Sequence, residues 1–304
     1  MDPLEDVLTL LETRSQLSAS LTAGGRWAVR FDAPRGVKFN AVRRGSCLLE
    51  VDGAGAPIEL AEGDCYLLTR PRAFTLRSDP DASPLPAGPL FAAAEGGTAR
   101  AGRGDDVLLI GGRFSFGPRA QEWLLDRLPP VVHLPSGTRR AETVRWALTE
   151  IDRELSHPQP ASSLVAEHLA VVMLVHVLRL HLARAPHAVS GWLAGLADPV
   201  VATALTALHG DPARPWTVAE LARTAAVSRS ALAARFKASV GQGPLEYLTR
   251  WRIELAARQL REGGTTLAAV ARSVGYGSES ALSVAFKRVL GTSPGEYRRR
   301  AATP

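Results

Sequence analysis

The chain has 304 residues, with 36 Lys and Arg against 30 Asp and Glu for a net charge of +6, and 46% of its residues are hydrophobic. That length predicts two domains, and that composition excludes a disordered protein. Two cysteines exclude a disulfide framework, and the acidic opening Met1-Asp-Pro-Leu-Glu-Asp6 is not a secretory signal, so a cytoplasmic protein is expected.

Asp2-Pro3 predicts the start of a short helix with Leu4, Val7, Leu8 and Leu11 on one face. From Trp27 to Arg77 the pattern changes to short strands. Runs such as 28–31, 47–51 and 65–68 are separated by turn signals at Pro34-Arg-Gly36, Asp52-Gly-Ala-Gly55 and Glu62-Gly-Asp64. Such spacing predicts a sandwich or a small barrel. Residues 78–104, rich in Pro, Gly and Ala, read as loop, and 107–116 as a returning strand. Helices are expected over 120–128, 138–155 and 161–183. The last is apolar nearly all round, but Glu167, His168, His176, Arg179 and His181 interrupt it, so a buried helix is expected rather than a membrane span. One of its faces is expected against the strands and the other against a partner subunit. Residues 185–191 read as linker.

The remaining residues contain the same pattern twice. Ser228–Tyr247 and Ser278–Tyr297 are identical at ten of twenty positions at an offset of 50. Each copy follows a short helix pattern, opened by Thr217 in one and Thr266 in the other. Ala226 and Gly275 stand at the turn, and Ser228 and Ser278 are expected to cap a second helix. Leu232, Phe236 and Val240 form the apolar face of one second helix, and Leu282, Phe286 and Leu290 that of the other, while Gly241 and Gly291 end them. Helix, tight turn, capped helix is the helix-turn-helix plan. Residues 191–304 carry a balance of +7 and residues 1–190 one of −1, so the net positive charge sits where the duplicated units are.

The segment from about Asp198 to Arg300 resembles the DNA-binding domain of AraC/XylS-family transcriptional regulators, carried by Ala268–Lys287 and Gly291–Arg298 in the second unit, with Pro244–Arg261 as the joining helix. The stretches Gly45–Gly53 and Leu60–Leu68, then Pro71, resemble the cupin-type sensor domain found in one branch of that family. The resemblance implies an α+β protein of two domains. A cupin-like β-barrel with following helices would occupy 1–184, a linker 185–197, and an all-α double helix-turn-helix domain 198–304. It implies double-stranded promoter DNA as partner, RNA polymerase as a second partner in an activator, a homodimer, and control by a small-molecule effector or a redox signal at the N-terminal domain. By position, it implies DNA contacts from Arg229, Ser230, Ala233 and Ala234 in the first copy, with Arg235 following where many members have an arginine one residue earlier. In the second copy it implies Glu279, Ser280, Ser283 and Val284. Lys237, Lys287 and Arg288 are expected on phosphates. The two second helices would enter successive major-groove segments about 34 Å apart.

The first 132 residues contain no histidine, and Phe74 stands where a metal-binding cupin has its last one. No metal, cofactor or catalytic residue is therefore expected. Two buried, inert thiols at Cys47 and Cys65 are favoured over a redox pair near Arg43, Arg44 and Arg70. A cupin enzyme fused to a DNA-binding domain, or a DNA binder without an effector, remain open alternatives at this point.

Overall fold

The computed structural model describes residues 2–117, 119–137, 142–184 and 190–301. The chain forms two compact units, one of Glu12–Ala188, the other of Met1–Leu11 with Val189–Pro304. Helix α1 (Pro3–Leu10) begins as its sequence requires: Asp2 accepts from the Leu4 and Glu5 N–H groups, and Pro3 fills the first turn.

The first unit runs β1 (Arg14–Leu17), β2 (Ser20–Gly24), β3 (Ala28–Phe31), β4 (Val37–Arg44), β5 (Cys47–Val51), β6 (Ile58–Leu60), β7 (Cys65–Leu68), β8 (Phe74–Arg77), β9 (Leu85–Pro86), α2 (Ala87–Ala92), β10 (Thr98–Gly102), β11 (Val107–Ser115), α3 (Ala120–Trp123), β12 (Val131–Leu134), α4 (Glu142–Ser156) and α5 (Ser162–Arg184). One sheet has the order β10-β2-β11-β4-β7-β12 with β1 also on β11, and the other has the order β6-β5-β8-β3-β9. Alternation aims one face of each sheet inward. Leu21, Val42, Tyr66, Leu68 and Leu109 from the first meet Val29, Leu49, Phe74 and Leu76 from the second, with Trp27 just before β3, in one buried cluster. The α+β, two-domain fold is as expected, but the expected barrel is not closed. Among the described residues no ladder joins the two sheets, so both stay open. The second sheet ends in a three-residue and a two-residue strand, and Pro86 in the latter has no N–H to extend a ladder.

The stretch 78–104, expected as loop, holds β9, α2 and β10. Its alanines hid the strand: Ala99 and Ala101 are buried where β10 runs parallel to β2. Gly102, at φ +71°, packs so closely that a Cβ would stand 2.3 Å from the Gly24 carbonyl oxygen. Of the helix expected over 138–155, residues 138–141 lie outside the described residues, as do 185–189 of the expected linker. The α5 helix buries Ala166, Ala170, Met173, Leu174, Val177 and Leu178, while Leu164, Val165 and Val172 stay open at 56%, 43% and 40% exposure. By length and composition alone it could cross a membrane.

The second unit is helical: α6 (Trp192–Gly195), α7 (Pro199–Gly210), α8 (Val218–Thr224), α9 (Arg229–Val240), α10 (Pro244–Glu262), α11 (Leu267–Ser273), α12 (Glu279–Leu290) and α13 (Pro294–Ala301). Helix α6 lies within the expected linker 185–197. Helix α1 packs on α7 and α10 and so belongs to this unit, although its sequence position carried it with residues 1–184. A buried polar chain explains the attachment. His209 Nδ1 lies 3.1 Å from Asp6 Oδ2 and its Nε2 2.7 Å from Tyr247 Oη, with its ring 4.2 Å from that of Trp251.

Candidate nucleic-acid interface

The two copies build the same frame from the same residues. Thr217 and Thr266 cap α8 and α11, accepting from the Glu220 and Ala269 N–H groups. In the first copy, Glu220 returns a bond to the Thr217 N–H at 2.9 Å, closing a capping box. Each turn is an αL cap: Ala226 has φ +55° and Gly275 φ +84°. The next N–H reaches back to the last turn of the helix, Val227 to the Ala222 carbonyl at 2.9 Å and Tyr276 to that of Ala271 at 2.8 Å. Ser228 and Ser278 then accept from the Ala231 and Ala281 N–H groups, each at 3.2 Å, and start α9 and α12.

Inside, Leu232 with Phe236 and Leu282 with Phe286 are fully buried. Each phenylalanine meets the tyrosine eleven residues on, edge to face, at 5.9 Å for Phe236–Tyr247 and 5.4 Å for Phe286–Tyr297. These contacts account for the Phe and Tyr shared by the two copies. Leu290, expected on the second apolar face, is only half-buried.

The outward faces differ from the frame in one respect: apart from Ser230 Oγ, 3.1 Å from Ser228 Oγ, no hydrogen bond or ion pair holds the side chains named next among the described residues. Arg229, Ser230, Ala233 and Ala234 are exposed on the first turns of α9, and Glu279, Ser280 and Val284 on those of α12, with Ser283 half-buried. Val284 is 70% exposed, an apolar side chain offered to solvent on an otherwise well-packed helix. Lys237, Lys287 and Arg288 are exposed further along, without ion pairs among the described residues.

Arg235 is placed differently. Its guanidinium grips Asp198 in a two-bond fork, Nε to Oδ2 and Nη2 to Oδ1, both 2.9 Å. Asp198 also caps α7 through the Val200 and Val201 N–H groups. Burial opposes the charge of Asp198, but these bonds hold its carboxyl below the ordinary range. Arg235 therefore ties α9 to α7 and is not free beside Ala234 as its position in sequence suggested.

One residue that fixes the two copies relative to each other carries no motif signal. Arg252, near the middle of α10, donates to the carbonyls of Pro212 at 2.6 Å, Ala213 at 3.3 Å and Arg214 at 2.8 Å. Those carbonyls belong to the loop before α8. The same loop packs against the turn of the second copy, where a Cβ on Gly275 would stand 2.4 Å from the Ala213 oxygen. Thus the entry to the first helix-turn-helix rests on the turn of the second, and Arg252 clamps it from the joining helix.

In the sheet unit, Cys47 and Cys65 are free and buried. Burial pushes both thiols up to about 12. The nearby arginines have acids of their own, Arg43 with Asp152, Arg44 with Asp105 and Arg70 with Asp126. Neither thiolate is favoured. Among the described residues no three His, Cys, Asp or Glu side chains gather as a metal site. His133 instead pairs with Asp64, 3.0 Å away, beneath the Gly63-Asp64 turn.

Comparison with known proteins agrees with this geometry. A cupin family model matches residues 2–183, and a helix-turn-helix domain model matches residues 221–300. An AraC-like transcription regulator of Streptomyces lividans is 79% identical over 304 residues, the whole of both chains. One of Streptomyces antibioticus is 77% identical over 299 residues, covering 98% of this chain and 99% of its own. The transcriptional regulator MtrA of Neisseria gonorrhoeae is 26% identical over 301 residues, 98% of each chain.

Proposed function

Since the chain belongs to the AraC-like transcription regulators with a cupin domain, we propose that it reads promoter DNA with the first turns of α9 and α12, under the control of a small molecule held by the sheet unit. The observation that carries this reading is the pair of matching frames, each presenting an unpaired helix face outward in the more basic part of the chain. Arg229 and Ser230 in α9, with Glu279, Ser280 and Ser283 in α12, supply the base contacts, and Ala233, Ala234 and Val284 the apolar ones. Lys237, Lys287 and Arg288 hold phosphates. Arg235 supports this surface through Asp198 and does not itself read bases.

The open stripe of Val165 and Val172 on α5 fits a second copy of the chain, giving a homodimer. RNA polymerase is a further partner if the protein activates. We assign no catalytic residue and no cofactor, and we place the protein in the cytoplasm with its DNA. The redox form of control loses support from the two buried thiols, which leaves the small molecule. Retardation of promoter fragments by the full chain tests the reading. Six to ten phosphate contacts imply a loss of about 10³–10⁵ in affinity between 50 and 200 mM salt. A folded protein that retards no promoter fragment at low salt contradicts it.

A further inference from the structure

We propose that the sheet unit binds its small molecule by a carboxylate seated between Lys38 and Arg113, at one end of the inner face of the first sheet. This rests on the reading of that unit as the sensor, and it adds the ligand's chemical class and the residues that hold it.

The register creates the site. Lys38 on β4 stands directly opposite Arg113 on β11, and Arg113 directly opposite Gln16 on β1. Lys38 shares its strand face with Asn40, which donates to Tyr66 Oη, and with Val42 in the inter-sheet core. Like charges directly opposite each other destabilise a sheet. Neither cation has an acid partner among the described residues. Lys38 Nζ reaches only Ser18 Oγ, at 3.3 Å, and the Arg113 Nε donates to Gln16 Oε1 at 2.9 Å. Four arginines on these sheets are neutralised, Arg30 by Asp52, Arg43 by Asp152, Arg44 by Asp105 and Arg77 by Glu50, whereas Arg14 and Arg100, like Arg113, have no acid partner among the described residues, and of these three only Arg113 stands opposite a lysine. The chain has three lysines, and Lys38 alone lies outside the helix-turn-helix units. Burial, and then the charge of Arg113, push its ammonium down to about 8. A broken local rule without a structural gain is what a binding site produces.

There is room for a ligand. A cavity of about 380 Å³ is lined by Lys38, Arg113, Gln16, Ser18 and the exposed Arg35, within the size range of small-molecule sites. Leu17 and Pro34 also line it, which suits an acid with an apolar body better than free phosphate. An arginine fork and a lysine point charge together suit a carboxylate.

The test uses the full-length protein with its three lysines reductively ¹³C-methylated, the Lys38 signal being assigned by its absence in Lys38→Met. Octanoate, octanamide and inorganic phosphate are the probes. Octanoate should shift the Lys38 signal saturably and octanamide should not, and Arg113→Gln should weaken octanoate at least tenfold. Without ligand, Lys38→Met should melt higher than the parent, because the like-charge pair is gone. The proposal is overturned if octanoate and octanamide act alike, if Arg113→Gln binds octanoate unchanged, or if neither anion moves the signal. Phosphate moving it while octanoate does not also overturns the carboxylate assignment. Promoter retardation without ligand is measured alongside, so a failure here is separable from a failure of the DNA-binding reading.

Discussion

The two helix-turn-helix copies are alike inside and unlike outside. Caps, turn geometry, the buried Leu and Phe, and the Phe–Tyr edge contact recur at an offset of 50 residues. The exposed first turns do not recur: Arg229 faces out where the other copy has Glu279, and Ala234 where it has Val284. Even the shared tyrosines differ beyond the frame. Tyr247 bonds to His209, and Tyr297 accepts from Arg261 at 2.8 Å. The comparison teaches which identities are structural. The buried residues kept in both copies hold the fold, the exposed Ser230/Ser280 and Lys237/Lys287 are kept without doing so, and most exposed positions that differ are free to do something specific, Arg235 with its hold on Asp198 being the exception.

The largest expected effect tests the shared half of that comparison. Phe236→Ala and Phe286→Ala should each cost about 3–5 kcal/mol, by similar amounts, because both remove a fully buried ring from equivalent positions. Denaturant unfolding of the two variants checks this; a loss confined to one copy would break the equivalence.

Next comes the connection between copies. Arg252→Ala should lower affinity for the best operator about 10–100-fold, corresponding to ~1.4–2.8 kcal/mol. It should also relax the dependence on spacing between the two half-sites, as measured on operators with one base pair inserted or removed. A uniform loss at every spacing would mean that Arg252 only stabilises the fold.

A smaller effect concerns pH. Burial, only partly offset by Asp6, holds His209 below its ordinary value. The unfolded chain therefore takes up a proton that the folded chain refuses. Stability should fall as pH drops below about 6.5, by up to about 1.4 kcal/mol per pH unit until the folded value is reached. Asp6→Asn removes a group that raises the His209 value and should extend the loss to lower pH. Thermal melts between pH 5 and 7 check both.

The smallest effect is at Arg235. Its pairing with Asp198 is half exposed, so Arg235→Ala should cost under about 1 kcal/mol of stability. The preferred operator sequence should stay the same, measured by selection from a randomised library. A changed preference would return Arg235 to the bases.

Much of the frame was legible because its causes are local. Ser228 and Ser278 cap within three residues, and Ala226 and Gly275 mark turns by residue type alone. What escaped the sequence depends on distant partners. Arg235 meets Asp198 thirty-seven residues earlier, and Arg252 meets carbonyls about forty residues earlier. Neither arginine differs by type from its exposed neighbours. In the sheet unit, the opposition of Lys38 and Arg113 exists only once β4 and β11 are in register. The strand β10 escaped because its alternating buried positions are filled by Ala99 and Ala101, side chains too small to mark a strand, and α1 was assigned by its place in the chain although its apolar face packs on helices two hundred residues on.

Within the proposed function, the central claim we propose is a division of labour: α9, which offers Arg229 where α12 offers Glu279, sets most of the base preference, and α12 mainly anchors through Lys287 and Arg288. The most direct test measures Arg229→Ala and Lys287→Ala on one library of operator sequences at several salt concentrations. Arg229→Ala should relax preference at one or two positions and cost about 1–3 kcal/mol on the best site. Lys287→Ala should weaken every sequence by a similar factor and reduce the salt slope by about one charge. The account is contradicted if Lys287→Ala changes the preferred sequence while Arg229→Ala weakens all sequences alike.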